Sequence, residues 1–207
     1  MSNLICIYDT ETTGLPNFRD PSDHPDQPHL VDICALLYTP EGELVDSFEA
    51  MIRPDGWSIP EEVAAIHGIT NEIALEHGIP EAVAVEGFLA IANRAGLRAA
   101  HNVSFDDRIM RIALKRFQDP WVAETFREAP KFCTCQSTTN IVKCPPTAKM
   151  IAAGRGRQFK QPNVAEALKF FTGEELVGAH RARPDAEACA RVYFALQAYQ
   201  MAPAPVA

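Results

Sequence analysis

Residues 4–14 read LICIYDTETTG, and the interpretation of the rest of the chain starts from this stretch. Residues 4–8 are apolar and rich in strand-forming side chains, and the turn-forming residues 12–14 follow soon after. We therefore predict a strand with Asp9 at its end. Side chains alternate along a strand, so Asp9 and Glu11 are expected to point to the same side. Such a pair suits a hard divalent cation, although a solvated turn would look the same.

Apolar runs and turn residues further along predict a mixture of strands and helices. Runs over 30–38 and 43–53 flank Pro40-Glu41-Gly42 and predict an antiparallel hairpin. Helices are predicted over 60–68, 80–93, 105–117, 163–171 and 184–199, with a short strand over 97–100 and an irregular stretch over 130–156. No repeat or change of composition marks a boundary, so we predict one domain over residues 1–207, with residues 200–207 as a frayed tail.

Composition narrows the class of protein. The chain has 207 residues, 47% of them hydrophobic, which is enough for a sizeable core. No apolar run reaches the roughly 18 residues of a membrane span, and a signal peptide is not evident, so we expect a cytoplasmic protein without membrane contact.

The six cysteines are irregularly spaced, which does not suggest a disulfide framework. Cys6 and Cys34 lie in strand-like runs and are expected to be buried thiols. Cys133 and Cys135, with Cys144 nearby, lack the second ligand pair of a structural zinc site, so zinc is not expected.

Charge is distributed unevenly along the chain. The formal net charge is −8, the opposite of what is expected of a protein that binds nucleic acid by neutralising phosphate alone. Residues 129–165, however, contain no acidic residue, and the bases in this segment are Lys131, Lys143, Lys149, Arg155, Arg157 and Lys160. The segment would guide a phosphate backbone or would form an ordinary solvated surface, and the sequence leaves both readings open.

Two further motifs follow the first carboxylate pair in order along the chain. They are His101-Asn102-Val103-Ser104-Phe105-Asp106 and His180-Arg181-Ala182-Arg183-Pro184-Asp185, and together with Asp9-Thr10-Glu11-Thr12-Thr13-Gly14-Leu15 they span nearly the whole chain. Joint occurrence of all three by chance is remote. On these residues the chain resembles the DEDDh exonucleases of the ribonuclease H-like superfamily, the group that includes the proofreading epsilon subunit of bacterial DNA polymerase III. The resemblance implies an α/β fold in which helices flank a mixed five-stranded sheet.

The resemblance also implies roles for the motif residues. Asp9, Glu11, Asp106 and Asp185 would bind two Mg2+ ions, for which Mn2+ would substitute, and His180 would be the general base. Histidine titrates near neutral pH, which fits that role. Without metal, four carboxylates together would repel each other, so their pKa values are expected to be raised.

Nucleotide contacts are implied for Thr12, His67, Ile69, Asn102 and Phe105, although Phe105 would serve equally well in the core. The segment around His67 also fits a helix end with Gly68 as its C-cap. Neighbouring residues on a helix point about 100° apart, so Asp107 is expected to face away from Asp106 into solvent. Asp32 is interpreted as structural or peripheral.

From the resemblance we expect hydrolysis of phosphodiester bonds from the 3′ end of single-stranded or frayed DNA, releasing nucleoside 5′-monophosphates. The Asp-Thr-Glu-Thr-Thr-Gly form of the first motif favours the proofreading branch. RNA stays an alternative substrate. An inactive nucleic-acid-binding or polymerase-partner module is disfavoured because all five catalytic positions are present. A stand-alone repair or salvage nuclease is as well supported as a polymerase-associated one, since proofreading would need a polymerase partner.

Overall fold

A computed structural model describes residues 2–201 of the chain. Within these residues five strands form a mixed sheet: β1 (Ile5–Thr12), β2 (Leu30–Tyr38), β3 (Leu44–Met51), β4 (Leu97–Ala100) and β5 (Lys131–Cys133). Their order across the sheet is β3-β2-β1-β4-β5. β2 pairs antiparallel with both β1 and β3, whereas β4 runs parallel to β1 and to β5. The expected mixed five-stranded fold is confirmed, as is the hairpin formed by β2 and β3.

Nine helices occur in the described part of the chain. They are α1 (Glu61–His67), α2 (Asn71–His77), α3 (Glu81–Ala92), α4 (Val103–Phe117), α5 (Pro120–Glu128), α6 (Thr134–Val142), α7 (Ala148–Ala152), α8 (Val164–Thr172) and α9 (Ala182–Met201). None of these helices is both long enough and apolar enough to cross a bilayer.

Helices cover both faces of the sheet, and β1 contributes side chains to each face. Tyr8 lies in the larger core cluster together with residues of α3 and α4. Ile7 lies in a second cluster with residues of α9. Because side chains alternate along a strand, Thr10 continues the face covered by α4, while Asp9 and Glu11 continue the face covered by α9.

β1 is longer than the sequence predicts, because its polar end still pairs with β2. Asp9 lies opposite Cys34 and Glu11 lies opposite Asp32, and the register shifts only between Glu11 and Thr12. The prediction that the strand ends at Asp9 is therefore wrong. Both carboxylates are held by the rigid sheet rather than by a turn.

Short elements were missed by sequence reasoning. The stretch 130–156, predicted to be irregular, contains β5, α6 and α7, and α2 and α5 were not predicted. These elements are short, so the period has little length over which to show. α9 begins before Pro184, at Ala182. Of the predicted frayed tail, Gln200 and Met201 belong to α9, and residues 202–207 lie outside the described residues.

The Pro-rich insert between β1 and β2 is bonded to α4. The buried side-chain amide of Gln27 donates to the Asn17 carbonyl at 2.9 Å and accepts from the Asn17 N–H at 3.0 Å. Arg108 of α4 donates to the Ser22 hydroxyl at 2.8 Å and to the Asn17 carbonyl at 3.1 Å. This insert is therefore an ordered cover on α4.

Candidate active site

Three elements bring the predicted catalytic side chains together. Asp9 and Glu11 lie on β1, Asp106 lies in the first turn of α4 and Asp185 lies in the first turn of α9. Ligand atoms of Glu11, Asp185 and His180 all lie within 4.8 Å of one another. Among residues 2–201 this is the one group of three acidic, histidine or cysteine side chains close enough to share a metal ion.

Asp106 is held in place from the opposite face of β1. Its Oδ1 accepts hydrogen bonds from the Thr10 hydroxyl at 2.8 Å and from the Thr10 N–H at 3.1 Å. Both residues are buried, so these bonds are shielded from water. Thr10 thus links the strand that bears two of the carboxylates to the helix that bears the third.

The electrostatics of the site favour the binding of positive charge. Burial, together with the charges of Asp106 and Glu11, raises the pKa of Asp9 well above its usual range. Burial and then the charge of Asp185 raise the pKa of Glu11 to about 8. Burial raises the pKa of Asp106 to about 7 although Thr10 bonds to it, and burial also raises the pKa of Asp185. These raised pKa values are those expected of a carboxylate cluster without cations.

The carboxylates fit divalent cations. Asp185 Oδ2 accepts the His180 N–H at 2.9 Å, whereas the buried Asp185 Oδ1 has no hydrogen-bond partner in the described structure. A buried carboxylate oxygen without a partner is unfavourable, and a cation would satisfy it. The available donors are mainly carboxylate oxygens, which are the ligands that Mg2+ and Mn2+ prefer.

His180 is an exposed residue with an unusual backbone conformation. Its φ is 64°, in the left-handed region, and Gly178 just before it has φ 77°. A non-glycine residue in this region costs of order 1–3 kcal/mol and is common at functional sites. Asn102, which precedes α4, shows the same feature with φ 73°. Both motifs that follow the first carboxylate pair thus enter their helices through a left-handed residue.

Asp32 fixes the beginning of α9 to the sheet. It is buried, and its Oδ2 accepts from Arg181 Nε at 2.9 Å and from the Ala182 N–H at 3.3 Å. This agrees with the structural role expected for Asp32. The arrangement positions Asp185, which lies one turn further along the helix.

Asp107 is not solvated, contrary to the prediction. It is 3% exposed and lies 3.5 Å from Arg98 Nη2, 3.0 Å from Arg111 Nε and 3.0 Å from Lys131 Nζ. The turn of the helix does point it away from Asp106, as expected, but toward these three bases rather than toward solvent.

Among the residues predicted to contact a nucleotide, His67 is buried and has, within the described residues, an unpaired ring nitrogen. It is 3% exposed; its Nδ1 accepts from the Ile69 N–H at 3.1 Å, while its Nε2 is buried with no partner in the described structure. Burial, and then the nearby charges of Arg181 and His180, lower the pKa of His67. His67 is therefore a neutral imidazole near the site with one ring nitrogen available.

The other predicted contacts differ in exposure. Ile69 is 1% exposed and packs in a cluster with Val31 and Ile59, and Phe105 packs against the main core. Asn102 is exposed. The Thr12 hydroxyl donates to the Gly14 carbonyl at 2.7 Å. The contacts of these four predicted residues with a nucleotide stay predictions.

Sequence reasoning missed Thr10 and Arg181 as residues that position the site. The position of Thr10 between two carboxylates already implied that it points to the opposite face, which was the available signal. No local signal pairs Arg181 with Asp32, since the two are distant in the chain.

The cysteines do not form a metal site in the described part of the chain, where all six are free thiols. Cys6 and Cys34 are buried in strands as predicted. Cys133 Sγ accepts the Gln136 N–H at 3.4 Å and so caps α6. A hydrogen bond from Cys135 is the largest cause that lowers the pKa of Cys133, to about 5.

Comparisons with known proteins identify the family of the chain and proteins with a similar fold. The RNase_T family model, described as an exonuclease, matches residues 6–193. No curated protein matches the chain. The fold is similar to E. coli exonuclease I in complex with a dA16 oligonucleotide (TM-score 0.73, 19% identity) and to the zinc-bound form of an E. coli exonuclease I complex with single-stranded DNA (TM-score 0.70, 18% identity). These matches cover 97% and 98% of this chain but 42% of each solved chain, so this chain spans about two fifths of their length.

Proposed function

The chain belongs to the RNase_T family of exonucleases, of the DEDDh type, and from this premise we propose that it hydrolyses DNA from the 3′ end. The products would be nucleoside 5′-monophosphates. The observation that carries the proposal is the convergence of Glu11, Asp185 and His180 from motifs far apart in the chain, with Asp9 and Asp106 beside them.

Asp9, Glu11, Asp106 and Asp185 would hold two divalent cations. When bound, such a pair of ions activates a water molecule on one side of the phosphorus and stabilises the leaving 3′ oxygen on the other. The protein's own contribution is to fix the carboxylates in advance. β1 carries two of them on a paired strand, and Thr10 and the His180 N–H orient Asp106 and Asp185.

His180 would take the proton of the attacking water on a ring nitrogen. Its backbone is tied to Asp185, while its side chain is exposed beside Glu11. An exposed imidazole can pass the proton on to solvent and be ready for the next cycle. The His67 Nε2, buried without a partner, would donate to the terminal nucleotide.

DNA is preferred over RNA in this proposal, although RNA is an alternative substrate. The Asp-Thr-Glu-Thr-Thr-Gly form of the first motif favours the proofreading branch, and E. coli exonuclease I, which shares the fold, has been solved with DNA oligonucleotides. We place the activity in the cytoplasm, in repair or proofreading. A repair role would be stand-alone, whereas a proofreading role would need a polymerase partner.

The first experiment is digestion of 5′-labelled single-stranded DNA and RNA of the same sequence, with Mg2+, with Mn2+ and with a chelator. We expect a ladder shortened from the 3′ end only when metal is present, and 5′-monophosphates as products. His180→Ala should lower the rate by about 10²–10⁴-fold, the usual contribution of a general base. Asp9→Ala should lower it by about 10³-fold or more, since a catalytic metal contributes several kcal/mol.

His24→Ala is the matched control, because His24 lies in the Pro-rich insert outside the carboxylate cluster. It should digest DNA as the wild-type protein does. If the wild-type protein bound both polymers but cut neither, the exonuclease proposal would be wrong and a binding module would replace it. The ratio of DNA to RNA rates decides the substrate.

A further inference from the structure

A cationic loop, defined as residues 143–160, projects from the protein between α6 and α8. Its two ends are joined by an antiparallel bridge in which the Lys160 N–H donates to the Cys144 carbonyl at 3.0 Å. α7 lies inside the loop, and residues 151–159 are all exposed. The loop is therefore closed at its base and open to solvent over residues 151–159.

Most bases of this loop have no acidic partner. Lys160 pairs with Glu166, with Nζ 2.7 Å from Oε1. The other four bases of the loop are Lys143, Lys149, Arg155 and Arg157. All four are exposed, and none of them forms an ion pair within residues 2–201. Elsewhere in this range, Arg19 and Arg53 are the exposed bases without an ion pair. Four uncompensated charges on one loop of a chain with net charge −8 create a local positive potential that the fold does not use.

The end of the loop lies near the second catalytic motif, and the bridge between Cys144 and Lys160 keeps the start of the loop next to that end. His101 Nε2 donates to the Pro162 carbonyl at 2.9 Å, just after the loop, and His101 Nδ1 lies 2.8 Å from the Thr134 hydroxyl at the start of α6. His101 directly precedes Asn102 and the helix that carries Asp106. The base of the loop is thus close enough to the carboxylates to meet a polymer whose end lies there.

The loop also carries an aromatic side chain among its bases. Phe159 is 41% exposed and lies between Arg157 and Lys160 in the sequence. An exposed aromatic ring beside positive charge is how proteins bind single strands without sequence preference, since every base can stack on it. This favours nucleic acid over other anionic partners, such as an acidic protein.

We propose that the cationic loop binds the phosphate backbone of single-stranded nucleic acid on the 5′ side of the nucleotide that is removed, with Phe159 stacking on a base. The inference rests on the proposed exonuclease function. Binding by this loop explains how a chain with net charge −8 attracts a polyanion. The uncompensated bases of the loop, near the site, offset the repulsion by the acidic residues.

The salt dependence of binding tests the loop directly. The loop variant replaces Lys143, Lys149, Arg155 and Arg157 with Ala. The matched control replaces Arg94, Arg127, Lys169 and Arg191 with Ala; these are exposed bases that pair with acids outside the loop, and the net charge changes equally. Affinity for a labelled single-stranded oligonucleotide is measured without divalent metal at several salt concentrations.

For single strands, each phosphate contact contributes about 0.7 to the slope of log affinity against log salt. If all four bases contact phosphates, we expect the magnitude of the slope to be smaller by about 2–3 in the loop variant than in the wild-type protein. The control should keep the wild-type slope. If the loop variant and the control gave the same slope, the loop would not bind nucleic acid and the inference would be wrong. Should the loop variant not fold, the Arg155→Ala/Arg157→Ala variant, in which two exposed residues change, replaces it.

Rates of digestion distinguish a failure of the loop inference from a failure of the proposed function. With a long oligonucleotide, the loop variant should show a KM raised by about tenfold or more at moderate salt and an unchanged kcat. With a dinucleotide, which is too short to reach the loop, the loop variant and wild type should be equal. If no variant cut either substrate, the proposed function would fail. If the loop variant cut both substrates as the control does, only the loop inference would fail.

Phe159→Ala gives a second readout that charge alone would not change. Loss of a stacking contact should weaken binding about 5- to 150-fold, because stacking on one base contributes about 1–3 kcal/mol. The salt slope should stay the same, since no charge is removed. An unchanged affinity would exclude the stacking role of Phe159.

Discussion

Single residues beside the carboxylates decide how the site is held. Thr10 and Asp107 are each next to a predicted metal ligand in the chain; Thr10 points to the face of β1 opposite Asp9 and Glu11, and Asp107 points away from Asp106. Thr10 donates two hydrogen bonds to Asp106, and Asp107 is surrounded by three bases. Neither is expected to touch substrate, and both are expected to position residues that do.

Replacing Thr10 with Val removes the hydroxyl donor and keeps the shape of the side chain. The pKa of Asp106, already raised to about 7, should rise further because the bond that lowers it is lost. We expect the Mg2+ concentration for half-maximal activity to increase about 10- to 100-fold, as for other residues that orient a metal ligand. The acid limb of the pH–rate profile should also move to higher pH. Thr125→Val, at an exposed position on α5, is the control, and an unchanged metal dependence for Thr10→Val would contradict the prediction.

Asp107→Asn should affect stability more than catalysis. The substitution leaves Arg98, whose side chain is 4% exposed, without its acidic partner. Breaking a buried ion pair on one side costs about 3 kcal/mol of unfolding free energy, which urea denaturation would measure. Metal dependence should be unchanged. Asp26→Asn is the exposed control, and full stability combined with lost activity would instead put Asp107 in the site.

At the scale of elements, α1 and α2 form a segment that carries His67, which lies near enough to Arg181 and His180 for their charges to lower its pKa. The segment returns to the sheet through Ile79, whose N–H donates to the Met51 carbonyl at 2.9 Å. Gly78 lies at this return, where a Cβ atom would be 2.4 Å from the Ala74 carbonyl oxygen and 2.5 Å from the Arg53 nitrogen. Close approach of two backbone segments therefore requires glycine here.

Gly78→Ala should force the two backbone segments apart. Overpacking of this kind costs about 1–3 kcal/mol, measurable by urea denaturation. Since the segment carries His67, KM for an oligonucleotide should rise while kcat changes little. In Gly156→Ala the added Cβ would lie 3.5 Å from Ile151 Cγ1, an ordinary contact, so this control should be nearly neutral. A Gly78→Ala protein as stable as the control would contradict the close approach.

For the whole molecule, the carboxylate cluster links stability to pH and to metal. The pKa of Glu11 is raised from 4.5 to about 8 and that of Asp106 from 3.8 to about 7 in the folded, metal-free protein. Between the unfolded and folded values the folded state binds more protons than the unfolded state. The stability that these two groups contribute is therefore present at acid pH and is lost as the pH rises through about 7 to 8.

We therefore expect Mg2+ to raise the Tm more at about pH 8 than at about pH 6, because at lower pH protons compete with the metal for the carboxylates. Thermal unfolding with Mg2+ and with a chelator at both pH values measures this. The Asp9→Asn/Glu11→Gln variant should show a smaller effect of metal and a flatter dependence on pH. An equal Mg2+ shift at both pH values in the wild-type protein would argue against metal binding at this cluster.

The sequence was sufficient to predict those features that depend on residues close together in the chain. The hairpin of β2 and β3, the capped end of α1 at Gly68 and the shared side of Asp9 and Glu11 all follow from periodicity and turn residues in consecutive positions. The turn of a helix implied that Asp106 and Asp107 could not both face the cluster, and the resemblance of the motif selected Asp106. The short β5, α6 and α7 did not follow, since their positions depend on contacts with the rest of the fold.

The sequence by itself determined the family and the acid-free segment, and it predicted five catalytic positions. Only the tertiary structure decided which bases of that segment are already neutralised: Lys131 pairs with Asp107 and Lys160 with Glu166, while the four loop bases have no acidic partner among residues 2–201. It also decided that Asp32 holds Arg181, a residue 149 positions away. The physical reason is that periodicity is set by neighbours along the chain, whereas the partner of a charge is set by whichever side chain the fold brings within a few ångströms.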